Sequence, residues 1–274
     1  MGESITRSVH DIKSRDGTRI ALACYGVSGR ETAVVLCHGF FKSKETPTFQ
    51  RLAQALAIEQ DVVAMDFRGH GRSGGRYTFS AREGDDLVAV LEWARERYRS
   101  IDLLGFSLGG AIAINTASRH PEQVRSLIAV SAPAVFEEIE FKFWTPEAIR
   151  RGIEGLEPGA GCRPGSLFLE KGRPLDSVRR LAGLPILFIH GTRDVIVGLE
   201  HSRRLFAEAA EPKRLQIVEG GSHAEALFRD DPEGFVRTVR GWWAKTPNPG
   251  IGRVLICGDS GDSRADSGDR LRRP

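Results

Sequence analysis

The chain reads as an α/β fold, a mostly parallel central sheet with helices on both faces. Three observations predict it. Short apolar, β-branched runs alternate with longer segments of helical period. Several of these runs (AVVLC, SLIAV, PILFI) are nearly continuous in hydrophobicity, as strands buried on both faces are. At 274 residues the chain is long enough to bury a large core.

The elements follow in order. Strands at Val9–Lys13 and Arg19–Tyr25 flank Arg15-Asp16-Gly17, whose Asp-Gly step marks a hairpin turn. Further strands are expected at Ala33–Cys37, Val62–Asp66, Ile101–Gly105, Val124–Val130, Pro185–His190 and Arg214–Val218. Helices are expected at Pro47–Ile58, Ala81–Tyr98, Leu108–His120, Leu199–Ala209 and Ala224–Trp243. Two stretches break this rhythm. Residues 136–183 are far longer than one crossover helix. They contain FEEIEFKFW, then Thr145-Pro146 as a helix start, then a Gly/Pro-rich run, and read as a small cap inserted over one end of the sheet. Residues 246–274, rich in Pro, Gly, Asp, Ser and Arg, read as a flexible tail after a single domain spanning 1–245. Within the tail, VLIC at 254–257 has a second reading as an edge strand or docking segment.

Composition narrows the function classes. Lys+Arg is 39 against 36 Asp+Glu, a net +3, which leaves no basic excess for a dedicated nucleic-acid binder. With 41% hydrophobic and 27% charged residues, the chain is not disordered as a whole. Cys24, Cys37, Cys162 and Cys257 form no CxxC pair, so neither a zinc knuckle nor a redox motif is supported. No apolar run approaches the roughly 18 residues that span a bilayer. The opening MGESITRSVHDIKSRDG lacks the apolar core of a signal peptide; with free thiols, this leads us to expect a cytoplasmic protein.

The motif G-x-S-x-G occurs twice, at Gly105–Gly109 and Gly71–Gly75. Context separates the two. Ser107 directly follows the strand IDLLG and opens a helix of small residues, the strand–turn–helix of a nucleophile elbow. Its flanking glycines are expected where a Cβ would clash with strand and helix. Ser73 opens no periodic helix and reads as a loop serine. A serine hydroxyl is a weak nucleophile at neutral pH and needs a base, itself oriented by a carboxylate. His223, in GGSH after the last strand, reaches the same carboxyl edge of the sheet as Ser107. His38, His70, His120, His190 and His201 fit less well; His190, which ends a strand, reads as a packed or loop-supporting residue. Asp194, in HGTRD after PILFI, reaches that edge too. Glu219 and Asp66 are the competing carboxylates, Glu219 in the exit turn of the last strand and Asp66 expected to be buried against backbone amides or Arg68. An oxyanion needs two backbone donors. These are expected to be the N–H of Leu108 and that of Phe40 in the His38-Gly39-Phe40 turn, which alternatively is an ordinary glycine turn.

HGF at 38–40, DFRGHGRS at 66–73, GFSLGG at 105–110, GTRD at 191–194 and GGSH at 220–223 together resemble the α/β-hydrolase superfamily over about residues 9–245. Within it the chain resembles small bacterial serine esterases and serine aminopeptidase-like (S33-type) hydrolases. The resemblance implies the α/β-hydrolase fold and a Ser–His–Asp hydrolase without metal or organic cofactor. It maps Ser107 to nucleophile, Asp194 to acid and His223 to base. Relatives with an aspartate at the elbow are dehalogenases and epoxide hydrolases, from which Ser107 sets this chain apart.

Phe40, Phe41 and Phe106 near the elbow, with Phe136, Phe141, Phe143 and Trp144 of the insertion, suggest an apolar pocket for an acyl chain or aryl acid. The alternative reading is that these aromatics only pack the cap on the core. Arg72 and Arg193 lie close to site loops. The expected reaction is hydrolysis of a small-molecule carboxylic ester through an acyl-enzyme. Thioester or amide cleavage on the same triad, or ligand binding without catalysis, are the alternatives. Oligomeric state is not read from the sequence.

Overall fold

A computed structural model describes residues 4–27, 29–140, 150, 156–166 and 168–247 of the chain. Eight strands form one sheet: β1 (Thr6–Lys13), β2 (Arg19–Gly26), β3 (Thr32–Cys37), β4 (Asp61–Met65), β5 (Ser100–Phe106), β6 (Ser126–Val130), β7 (Ile186–Gly191) and β8 (Lys213–Val218). Their spatial order is β1-β2-β4-β3-β5-β6-β7-β8. β2 runs antiparallel to both β1 and β4, and every other neighbouring pair is parallel. The β1–β2 hairpin closes as the Asp-Gly step predicts: Ser14 N–H donates to Thr18 O at 2.8 Å, and Gly17 has a φ of +81°.

Among the described residues, helices cover both faces: the five expected, the last of them as two, and two short ones that the sequence does not predict. They are α1 (Pro47–Leu56), α2 (Glu83–Arg95), α3 (Leu108–Ala117), the short α4 (Glu137–Glu140) and α5 (Pro174–Val178), α6 (Leu199–Glu208), α7 (Ala226–Asp230) and α8 (Pro232–Trp243). Alternate residues of β3 divide the core. Ala33, Val35 and Cys37 join the layer under α2, α3 and α6, while Val34 and Leu36 join the layer under α1, α7 and α8. Both faces of strands β3 to β7 are therefore covered, while the edge strand β1 stays exposed, and α3 is buried along its whole length, as its uniformly small and apolar sequence requires.

Some boundaries differ from expectation. The helix expected over 224–243 is two helices, because Pro232 lacks the N–H that would continue the first, and Asp231 starts the second by accepting from Gly234 N–H at 2.9 Å. β6 begins at Ser126 rather than Val124, after a one-turn 3-10 helix at Pro121–Gln123. Of the insertion, the described residues 158–165 lie along loops that leave the carboxyl ends of β3 and β4. Gly161 N–H donates to Phe41 O at 3.0 Å, Arg163 N–H to Gly69 O at 2.7 Å and Tyr77 N–H to Arg163 O at 2.9 Å. The helix start at Thr145-Pro146 and the VLIC run lie outside the described residues.

Candidate active site

Ser107 sits between β5 and α3 with φ +51° and ψ −120°, a conformation that side-chain-bearing residues rarely hold. Its N–H is tied to Val130 O at 2.8 Å, so the neighbouring strand holds the strained turn. The flanking glycines are required: a Cβ at Gly105 would meet Gly109 O at 2.6 Å, and one at Gly109 would meet His38 O at 2.3 Å. The turn presents Ser107 Oγ 2.9 Å from His223 Nε2. His223 Nδ1 lies 2.7 Å from Asp194 Oδ2.

The loops after β7 and β8 bring the last two residues together. A Cβ at Gly191 would fall 2.2 Å from Gly221 O, so only glycine permits the two backbones to approach this closely. Arg193 N–H bonds Gly221 O at 2.9 Å across the gap. Behind the imidazole, Ala224 N–H donates to Ser131 Oγ at 3.1 Å, with both residues at φ +49°. Asp194 Oδ1 accepts from Ile196 N–H at 3.0 Å and Val197 N–H at 2.9 Å.

The electrostatics are coupled. Burial by itself would raise the Asp194 carboxyl, but His223 and His190 outweigh it and hold Asp194 well below the usual carboxylate range. Burial would depress His223, but the charge and hydrogen bond of Asp194 prevail, and His223 is raised above the ordinary histidine value.

Sequence and structure comparisons agree with this arrangement of elements. Residues 32–148 match a family model described as alpha/beta hydrolase fold. The chain has the α/β-hydrolase fold. An uncharacterized protein of Mycobacterium bovis is 26% identical over 270 residues, spanning 78% of this chain and 76% of that relative. An esterase of Pyrococcus furiosus superposes with a TM-score of 0.72 at 20% identity, over 89% of this chain and 92% of its own. The esterase RhEst1 of a Rhodococcus species superposes with a TM-score of 0.72 at 24% identity, over 88% of this chain and 100% of its own. Both structural likenesses are of fold.

Other parts of this α/β-hydrolase scaffold bear on the same edge. His38 Nδ1 lies 2.7 Å from Gly39 O, and His38 Nε2 accepts from Phe67 N–H at 3.1 Å. Burial pushes His38 below its ordinary value, so the ring is neutral, with its hydrogen on Nδ1. Gly39 O also accepts from Lys42 N–H at 3.3 Å. Because a peptide unit is planar and trans, holding Gly39 C=O fixes the direction of the Phe40 N–H. Leu108 is the first residue of α3, so its N–H has no partner within the helix.

The expected pocket needs correction. Phe106 is fully buried between Phe49 (rings 5.2 Å apart) and Phe235 (5.8 Å), because β5 alternation points it into the layer under α1 and α8; it is core and no part of a pocket. Phe41 is half exposed at φ +63°. Phe143 and Trp144 lie outside the described residues. What packs beside Leu108 is instead an apolar cluster of Tyr77, Phe79, Phe136 and Val197, edged by Phe40 and Ile196. Tyr77 and Phe79 escape sequence reasoning because RYTFS, although it alternates apolar and polar, is too short and too close to the glycine-rich loop to be read as a strand; the signal was its two aromatics directly after that loop.

The competing groups have other partners. Ser73 Oγ donates to Asp66 O at 2.6 Å and accepts from Ala21 N–H at 2.9 Å, a loop serine as its context predicts. Asp66 accepts from the backbone amides of Lys44 and Arg72, as expected, but its ion partner is Lys44 Nζ at 2.7 Å; Arg68 pairs with Asp86 and Asp16 instead. Glu219 Oε1 accepts from Thr192 Oγ1 at 3.2 Å. Arg72 and Arg193 are exposed. Among the described residues no group of three or more His, Cys, Asp or Glu side chains is arranged to hold a metal ion, and no helix is long and apolar enough to cross a membrane.

Proposed function

We propose that the protein is a serine hydrolase that cleaves small-molecule carboxylic esters through an acyl-enzyme. The observation that carries this reading is the unbroken chain of contacts from Ser107 Oγ to His223 Nε2 at 2.9 Å and from His223 Nδ1 to Asp194 Oδ2 at 2.7 Å. The esterase names of the two structural neighbours agree with it.

In this mechanism His223 takes the Ser107 proton as Oγ attacks the ester carbonyl. The N–H groups of Phe40 and Leu108 receive the oxyanion. His223 then gives the proton to the leaving alcohol, and the ester C–O bond breaks to leave an acyl group on Ser107. Water, deprotonated by His223, attacks that acyl group and releases the carboxylic acid, returning the proton to Ser107. Asp194 holds the imidazole with its hydrogen on Nδ1 and stabilises the transient imidazolium. The apolar cluster around Leu108, with half-exposed Phe41 near it, suits small to medium acyl or aryl groups. In this reading residues 136–183 form a cap on a domain of residues 1–245.

The test is covalent labelling by a fluorophosphonate together with rates on p-nitrophenyl esters, acyl-CoA and aminoacyl anilides. Labelling that is lost in Ser107→Ala, with esters turned over fastest, is the expected result. Fastest turnover of acyl-CoA or anilides reassigns the substrate class. No labelling of the wild-type protein overturns the reading altogether.

A further inference from the structure

His190 is the penultimate residue of β7, four residues before Asp194, and it is fully buried. Its Nε2 lies 2.8 Å from Val197 O and 3.3 Å from Asp194 Oδ2. A carbonyl and a carboxylate only accept, so Nε2 carries a hydrogen. In the neutral ring Nδ1, 2.6 Å from Ser202 Oγ, then accepts from that hydroxyl. Ser202 belongs to α6, so a helix outside the site holds the other ring nitrogen. Two imidazoles thus meet one oxygen of Asp194: His223 hydrogen-bonds it through Nδ1 at 2.7 Å, and His190 Nε2, whose hydrogen is bonded to Val197 O, lies beside it at 3.3 Å. The mechanism above uses only the first.

We propose that His190 is a positioning residue that orients the Asp194 carboxylate and restrains the basicity of His223. This rests on the reading of His223 as general base. Oδ1 is held by two backbone amides, and His190 adds a third point that fixes the carboxylate plane against His223. The positive end of its N–H dipole, bonded to Val197 O, also lies beside the oxygen that supports the His223 imidazolium. That dipole draws negative charge away from His223 and opposes its second proton. Asp194 unaided would hold that proton more firmly, and a base held too firmly in its charged form is idle at neutral pH. The other groups facing His223 are Ser107 Oγ from the elbow, Glu225 on its own loop and Lys42 from the turn after β3, which pairs with Glu225 at 3.1 Å and with Glu157 at 3.7 Å. Asp194 is the charged group against His190.

Three variants separate positioning from simple packing. His190→Met removes the donor. His190→Gln puts an amide N–H close to the place of Nε2. His190→Asn reaches only toward Ser202, so it loses the Asp194 contact while remaining polar, and it serves as a second donor-free variant if Met unfolds the protein. The measurement is the NMR titration midpoint of the His223 ring, assigned with His223→Gln, alongside the acid limb of kcat/KM and thermal unfolding. Met and Asn are expected to raise the midpoint by about half a unit, an about threefold gain in proton affinity, and Gln to return it to the wild-type position. A midpoint that stays put or falls in the donor-free variants overturns the proposal, as does a Gln variant that behaves like Met. The ring titration needs no substrate. It therefore reads the role of His190 even if the wild-type protein is not labelled at Ser107, an outcome that would overturn only the proposed function.

Discussion

The imidazole of His38 holds the carbonyl of Gly39, Nδ1 to O, at 2.7 Å. The bond joins a side chain to the backbone of the next residue, and it acts on the opposite end of the same peptide, the Phe40 N–H proposed to face the oxyanion. Removing it in His38→Ala frees that peptide to rotate. We expect kcat to fall about ten- to a hundredfold with KM little changed, since a misdirected oxyanion donor weakens the transition state more than the bound substrate. Steady-state kinetics on the best ester of the panel check this.

The two G-x-S-x-G serines should behave oppositely. Ser107→Ala is expected to abolish fluorophosphonate labelling, and adding His223→Ala should cost little more, because residues acting as one unit are not additive. Ser73→Ala should keep its labelling and lose about 1 kcal/mol of stability, from its bonds to Asp66 O and Ala21 N–H. Gel-based labelling and urea unfolding read the two effects.

The pH dependence follows from the raised His223. The base works only when neutral, so kcat/KM should fall as the pH drops through a midpoint above the ordinary histidine value of about 6.5. Asp194→Asn removes the charge that raises it. That variant should move the limb down and lose on the order of 10³–10⁴ in kcat. Asp194 itself, lowered in the folded protein, contributes stability that is present above its ordinary value of about 4 and lost as the pH falls through its lowered value. A pH–rate profile and the pH dependence of Tm test the two signs.

Gly191→Ala should push apart the loops that carry Asp194 and His223, since its Cβ would meet the backbone of Gly221. A loss of about 1–3 kcal/mol is expected from the forced shift, together with most of the activity. Thermal unfolding beside esterase assays would show both; full activity with a small stability loss would mean that the loops reseat.

Lys44 and Asp66 form a buried ion pair at 2.7 Å, with side-chain exposures of 1% and 0%. The pair ties the segment after His38-Gly39-Phe40 to the end of β4. Asp66→Asn leaves the buried lysine with Glu45, 3.3 Å away and partly exposed, as its remaining ion partner, at a cost of about 1–3 kcal/mol. Replacing both residues by apolar ones of similar size should recover much of that loss in urea titrations.

The sequence by itself determined the layering and the three far-separated residues. β-branched runs with flanking helical periods declare doubly covered parallel strands, and residues that directly follow such strands must emerge at one edge. Ser107, Asp194 and His223 were legible for that reason, and the same context separated Ser107 from Ser73. Only the tertiary structure decided what surrounds them. Phe106 lies in the core because side-chain alternation along β5 assigns its face, which proximity to the elbow does not reveal. Tyr77 and Phe79 reach the site through a loop whose brief alternation does not say where it runs. The His190 contact with Asp194, the Lys44–Asp66 pair and the Ser131–Ala224 bond join residues 4 to 93 positions apart through close packing, and such contacts depend on distances that no local pattern in the chain encodes.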